Sequence, residues 1–319
     1  NMWLFDLYVK FVVFWLSYFM RLHDFIKIKL TEKQRPLVPG VRVETIKIPS
    51  RDEGRFIPAL RYTPEGATGA LPVHLNFQAS GWVLMRLGLD RYMLSLFAKR
   101  LNATVIDMAY RRAPWHRFPT AQDDCEDATA YIFANPSLYD LSRVTLGGSS
   151  AGGCMALVTA ATFGPSKIKG VFSLYPVTRM EPYAGMKKNK VQLNKKFYSG
   201  IVIPPWVMSF FVLAYANEDE AELQDTRFSP FNEDVSKFPE HILLACGDAD
   251  TLYGDGKALV EKIHREGSEG QRKNTEFFSI PDEAHEFNNF PQAPHSIEWR
   301  DKLYEAAIAK LQAAWAQRP

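Results

Sequence analysis

Residues 144–160 read VTLGGSSAGGCMALVTA: an apolar run, two serines among glycines, then a helix-forming run. Of the two serines only Ser150 has glycine two residues away on both sides, at Gly148 and Gly152, which is the pattern G-x-S-x-G. The pattern suits a sharp turn from strand to helix, where larger side chains at those positions would collide with neighbouring backbone and the serine hydroxyl is left exposed. Amide groups at the start of the helix favour negative charge developing beside that hydroxyl. Glycine and serine are common, and a plain turn could read similarly. The strand RVTLGG before Ser150 and the helix AGGCMALVTA after it supply the context that makes Ser150 the candidate nucleophile.

A serine hydroxyl is unreactive without a base, so an acid and a histidine are expected further along, in the order Ser, Asp, His. LLACGDADTLYGDG carries Asp248, Asp250 and Asp255 after an apolar strand, and SIPDEAHEF carries His285 after the next one. The histidines beyond the aspartates are His264, His285 and His295. His264 falls inside the helical KALVEKIHREG, where a solvated surface suffices, and His295 opens the last helix after a proline, where capping or exposure suffices. His285 alone occupies a short loop after a strand, at the sheet edge expected to hold Ser150.

Beyond residue 40, strand-like and helix-like segments alternate, which predicts an α/β layer architecture. VRVETIKIPS (41–50) and FIPALRYTP (56–64) suit an antiparallel pair, while 71–78, 103–110, 143–148, 169–176, 241–247 and 275–280 read as more buried strands. Helices are expected at 87–101, 120–134, 151–163, 253–266 and 296–316, giving a doubly wound sheet. Residues 177–237 break the alternation with lysine-rich KKNKVQLNKK and apolar PPWVMSFFVLAYA. A connection that long with structure of its own reads as a lid or binding element. With residues 1–38 it is expected to form a cap over the C-terminal edge of the sheet, above a core of 39–176 and 238–319. The lysine run reads as a solvated face.

With 319 residues, 46% of them apolar and 23% charged, the chain suits one sizeable unit. A net charge of +2 is too mild for a nucleic-acid partner. Cys125, Cys154 and Cys246 are widely spaced without a CxxC pair and read as buried free thiols of a reducing compartment. The expected location is therefore intracellular, either cytoplasmic or peripherally membrane-associated, and no metal or other cofactor is expected. The apolar run FVVFWLSYFM (11–20) is too short to span a bilayer, and with Asp6 before it and Arg21-Leu22-His23 after it, it lacks the form of a secretory signal. It suits a helix packed on the protein's own surface, a monotopic anchor with Lys10, Arg21, Lys27 and Lys29 for headgroups, or a homodimer interface.

Residues 107–121, DMAYRRAPWHRFPTA, look like the D-Y-R-L-A-P-E-H-x-F-P-A-A signature of the hormone-sensitive lipase family of α/β-hydrolases. GSSAGG around Ser150 is similar to that family's G-D-S-A-G-G, Asp250-Thr-Leu252-Tyr-Gly-Asp255 to its D-P-L-x-D segment, and His285-Glu-Phe287 to its H-G-F. The matches run in family order from residue 72 to 287, with YPVT and RFSPFNED between them. The resemblance implies the α/β-hydrolase fold: a mostly parallel eight-stranded sheet flanked by helices, with a helical cap built from the N-terminus and an insertion. It implies Asp250 as the acid, with Asp255 structural, although the residues alone leave Asp248 open. The implied chemistry is hydrolysis of a carboxylic ester through a Ser150–His285–Asp250 triad and an acyl-enzyme.

The family's H-G-G-G corresponds to Gln78-Ala79-Ser80-Gly81-Trp82, with a single glycine. Carried over, the oxyanion-hole donors are the backbone N–H groups of Ser80, Gly81 and Ala151. Such donors do not depend on side-chain identity, but Ala79 and Ser80 resist conformations that glycine adopts freely. Weak general esterase activity, a Ser80 hydroxyl added to the hole, and a specialised substrate are all compatible with this departure. Ser149 replaces the family's Asp, and Trp115 its Glu, at positions that reshape the substrate rim or only the packing. Trp82 either lines the acyl pocket or is a core aromatic. Aromatic and Met residues in the cap segments suit a hydrophobic small-molecule substrate. A specialised enzyme that closes a ring, transfers an acyl group or catalyses a condensation is the alternative; a non-catalytic ligand receptor fits less well, since His285 is present.

Overall fold

A computed structural model of the chain describes residues 2–30, 36–180, 195–216 and 220–316. The apolar runs that the sequence interleaves with helices form one eight-stranded sheet: β1 (Val41–Pro49), β2 (Phe56–Pro64), β3 (Leu71–Phe77), β4 (Thr104–Met108), β5 (Tyr139–Ser149), β6 (Gly170–Leu174), β7 (His241–Gly247) and β8 (Thr275–Ile280). Their spatial order is β1-β2-β4-β3-β5-β6-β7-β8. β1 pairs with β2 and β2 with β4 antiparallel, and the other neighbours are parallel. β4, β6 and β7 are buried along their whole length, as parallel strands covered on both faces must be.

Among the described residues the α-helices are α1 (Met2–Leu30), α2 (Arg91–Leu101), α3 (Thr120–Phe133), α4 (Ala151–Phe163), α5 (Pro205–Tyr215), α6 (Glu220–Gln224), α7 (Tyr253–Glu266), α8 (Glu269–Asn274) and α9 (Pro294–Ala316). α3, α4 and α7 cover one face of the sheet, where Cys125, Met155 and Leu259 pack with Leu75, Leu146 and Leu244. α2 and α9 cover the other, where Phe97 and Leu303 pack with Val105, Phe172 and Leu243. Leu243 and Leu244 thus serve opposite cores, as the two-residue period of a strand requires. α4 is apolar all round and, apart from its last turn, buried, which places its N-terminus deep behind the centre of the sheet.

Some boundaries differ from the sequence expectation for tertiary reasons. α2 starts at Arg91 rather than at 87, because the Gly88 amide is held by the Asp107 carboxylate at 2.9 Å and Asp90 accepts from Asn289 at 2.8 Å. β5 begins at Tyr139, four residues before the predicted strand. Most of the lysine-rich run lies outside the described residues. Of its last two residues, Lys195 forms ion pairs with Asp248 and Asp282. Cys125, Cys154 and Cys246 are free thiols in buried positions. Among the described residues no helix is long and apolar enough to cross a membrane.

Candidate active site

Ser150 follows the last residue of β5 and caps α4 with φ 58° and ψ −123°, a conformation costing a non-glycine residue on the order of 1–3 kcal/mol. The surroundings hold it there: its amide donates to the Leu174 carbonyl at 2.8 Å, and its carbonyl accepts from the Cys154 amide at 3.1 Å. The flanking glycines are required by close approach. A Cβ on Gly148 would lie 2.7 Å from the Phe77 carbonyl oxygen, and one on Gly152 would run into the same oxygen. The start of α4 is therefore pressed against the end of β3.

Three side chains meet at this turn. The Ser150 Oγ lies 3.1 Å from His285 Nε2, and His285 Nδ1 lies 2.7 Å from Asp250 Oδ2. An ionised carboxylate only accepts hydrogen bonds, so Nδ1 carries the proton and Nε2 is free to accept the serine hydroxyl. All three residues are buried. Asp250 is oriented by the Leu252 amide, which donates to Oδ1 at 2.9 Å. Asp248 is engaged elsewhere: its Oδ1 accepts from the Asp282 amide at 2.7 Å, and its other oxygen pairs with Lys195. His264 and His295 also lie apart, bonded to the carbonyls of Thr275 and Pro281.

His285 is positioned by neighbours that sequence reasoning did not single out. Its backbone forms a two-way bridge with Ile201 of the 177–237 insertion, at 2.8 and 3.1 Å. The Tyr175 ring packs on the imidazole with centroids 4.3 Å apart, while its hydroxyl donates to Asn288 Oδ1 at 2.8 Å. Glu286, standing where the family signature has glycine, adopts φ 62° and forms a buried ion pair with Arg86. The replaced glycine was the one signal in the sequence that could have pointed to this pair.

The segment in place of the glycine-rich motif is braced by side chains. The Tyr110 hydroxyl donates to the Gln78 carbonyl at 2.8 Å, the Ser80 and Tyr110 oxygens are 2.7 Å apart, and the Trp82 amide donates to Ser80 Oγ at 2.9 Å. The Gln78 side chain in turn accepts from the Arg86 amide at 3.0 Å. Tyr110 has one proton and spends it on Gln78, so Ser80 must donate its own to Tyr110. In this arrangement the Ser80 proton goes to Tyr110 rather than to an oxyanion site, the role that was one of the sequence expectations. Within residues 78–82, left-handed backbone is confined to Gly81 (φ 55°) and Trp82 (φ 60°).

A cavity of about 270 Å³ opens beside Ser150 and His285. Ser80, Gly81 and Trp82 line one side, Val207, Met208 and Phe211 of α5 another, and Leu16 of α1 also reaches it. Trp82 lines the cavity and is also buried against Tyr215, with ring centroids 5.5 Å apart and planes at 6°. Ser149 does not line the cavity. As the residue before the turn, it is wholly buried at the end of β5, paired in register with Leu174. Trp115 is exposed and also outside this cavity. Among the described residues no cluster of potential ligands could hold a metal ion.

A family model described as alpha/beta hydrolase fold matches residues 74–289. The chain belongs to this family, the hormone-sensitive-lipase-like α/β-hydrolases, and is a carboxylesterase-like hydrolase by kinship. It is 26% identical to an arylesterase of Saccharolobus solfataricus over 85% of this chain and 86% of the relative. It is 26% identical to an ethyl acetate hydrolase of Pseudomonas putida over 70% of each. A mimivirus protein described as a putative alpha/beta hydrolase is 29% identical, and the match spans 59% of that protein's length. The hyperthermophilic esterase of Pyrobaculum calidifontis superposes with a TM-score of 0.77 at 25% identity, over 95% of this chain and 92% of that one.

Proposed function

We propose that the protein is a serine carboxylester hydrolase acting on a hydrophobic ester, with Ser150, His285 and Asp250 as its catalytic residues. The observation that carries this reading is the continuous chain of hydrogen bonds from Ser150 Oγ through the imidazole to Asp250, opening onto a mainly apolar cavity. His285 Nε2 takes the hydroxyl proton as Oγ attacks the ester carbonyl carbon, and Asp250 holds the tautomer and stabilises the imidazolium. The tetrahedral oxyanion is received by backbone N–H groups of Gly81 and Ala151, with Ser80 as the third donor carried over from the family. His285 then protonates the leaving alcohol, and water deacylates the enzyme by the same route in reverse.

In this reading residues 1–38 and 177–237 act as the cap. Leu16 and the α5 side chains give the acyl or alkyl group an apolar lining, and the Ile201 bridge ties the insertion to the catalytic histidine. Net acyl transfer, ring closure or condensation was suggested by the loss of glycines after β3. The bracing of that segment by Tyr110 and Ser80 gives the loss a structural explanation and so favours simple hydrolysis. The test is the mass of the protein after exposure to a fluorophosphonate. An adduct on Ser150, absent in Ser150→Ala, is expected along with release of alcohol from lipophilic aryl esters. A folded protein without adduct or release would refute the assignment.

A further inference from the structure

We propose that α1 docks the protein on an anionic lipid surface. Among the described side chains between Leu4 and Leu30, 11 large apolar ones are exposed, each between 42% and 79%. At 100° per residue they fall within a sector of about 160°, a single stripe along the helix. Aromatic rings form its centre: Trp15 meets Phe11, Phe14 and Tyr18 edge to face and Phe19 at a tilt, at centroid distances of 5.6 to 6.3 Å. A stripe this large on a water-facing helix implies a covering surface.

Charge on and beside the stripe identifies that surface. Phe14 and Tyr18 also wall a second cavity, of about 510 Å³, whose lining carries the guanidinium groups of Arg55, Arg111 and Arg112. Against them stand Asp124 within the lining and Asp52 just outside it, which pair with Arg55 and Arg111. The α1 sequence itself holds four Lys or Arg residues against two Asp. Aromatic rings on a helix whose own sequence carries a cationic surplus suit anionic headgroups over an acyl layer. A second copy of this chain would set cationic surplus against cationic surplus. Leu16, just past the edge of the stripe, lines the cavity beside Ser150, so docking through the stripe would hold that cavity next to the lipid.

The test uses the full chain and sedimentation with vesicles of phosphatidylcholine, with and without a third of phosphatidylglycerol. Partition at least about tenfold stronger onto the anionic vesicles is expected, weakening with added salt. The double variant Phe11→Asp/Phe19→Asp should lose about tenfold or more of that partition while its melting and its turnover of a water-soluble ester stay unchanged. In the unmodified chain, brominated lipids should quench tryptophan emission. Equal binding to neutral and anionic vesicles, or no binding to either, would overturn the proposal. So would a concentration-dependent dimer that the double variant dissolves, which would make a second copy the occupant.

Discussion

The Ser80 hydroxyl donates to the Tyr110 hydroxyl oxygen across 2.7 Å, because the Tyr110 proton is committed to the Gln78 carbonyl. This pair does structurally what glycines do elsewhere in the family. It lets a chain with side chains at residues 78–80 hold one sharp conformation next to the nucleophile.

Ser80→Ala should therefore lower stability by about 1–2 kcal/mol through the freed Trp82 amide and Tyr110 hydroxyl, yet leave kcat within about threefold. Urea unfolding and ester turnover on the same preparation distinguish the two effects. A loss of kcat near a hundredfold without loss of stability would mean that the hydroxyl does serve the oxyanion.

Gly81→Ala should reduce both stability and kcat. Its φ of 55° disfavours a Cβ, and that Cβ would lie 2.8 Å from Phe211 Cε2. A cost of about 1–3 kcal/mol is expected from strain and overpacking together. Adding Phe211→Ala should recover only the overpacking part. No recovery in thermal midpoint would show that backbone strain accounts for the whole loss.

Asp250→Asn should cut kcat by roughly ten-thousandfold with little change in KM, since the amide cannot both accept from Nδ1 and stabilise the imidazolium. Asp248→Asn should leave kcat nearly intact, because Asp248 bonds the Asp282 amide and Lys195 rather than His285. Steady-state kinetics of both variants decide the matter, and equal losses would contradict the assignment.

Arg86→Met strands Glu286 as a buried charge and should destabilise the fold by about 3–5 kcal/mol. Combining it with Glu286→Gly removes the stranded charge and the left-handed side chain together, and most of the loss should return. Denaturant midpoints of the wild type, single and double variants form the required comparison. Additive losses would rule out coupling between the two residues.

Burial, with the charge of Asp90 nearby, pushes the Asp107 carboxyl up to about 7. Between its unfolded value near 4 and about 7 the native state holds a proton that the unfolded chain has released, so this group's stabilisation falls as pH rises through that window. The full span is on the order of 4 kcal/mol. Buried His74, pushed down to about 3, works in the opposite sense below its unfolded value of about 6.5 and masks much of the slope. The Asp107→Asn variant should be the less stable at low pH, and its deficit relative to wild type should narrow as pH rises to about 7. A deficit constant across that range in urea titrations would refute this account.

Strand and helix order was legible because it depends on local regularities. The eight apolar runs recur at spacings that only alternating layers accommodate, and each became a strand within a few residues of its expected limits. Gly148 and Gly152 marked the turn because the collision they avoid, with the Phe77 carbonyl, follows from backbone sterics at any such turn. The order Ser, Asp, His likewise singled out residues that the fold brings within hydrogen-bonding distance, Ser150 and His285 being 135 positions apart.

What the sequence determined by itself, then, was the family, the layer order and the turn that presents Ser150, because these follow from periodicity and short-range sterics. The choice of Asp250 over Asp248, the withdrawal of Ser149 from the cavity and the commitment of the Ser80 proton to Tyr110 were decided only in the folded chain. So were the pairing of Arg86 with Glu286 and the tie between Ile201 and His285. Each depends on which side chains sheet register and the insertion bring within about 3 Å of one another, and hydrogen-bond partnership at that range has no periodic trace in the chain.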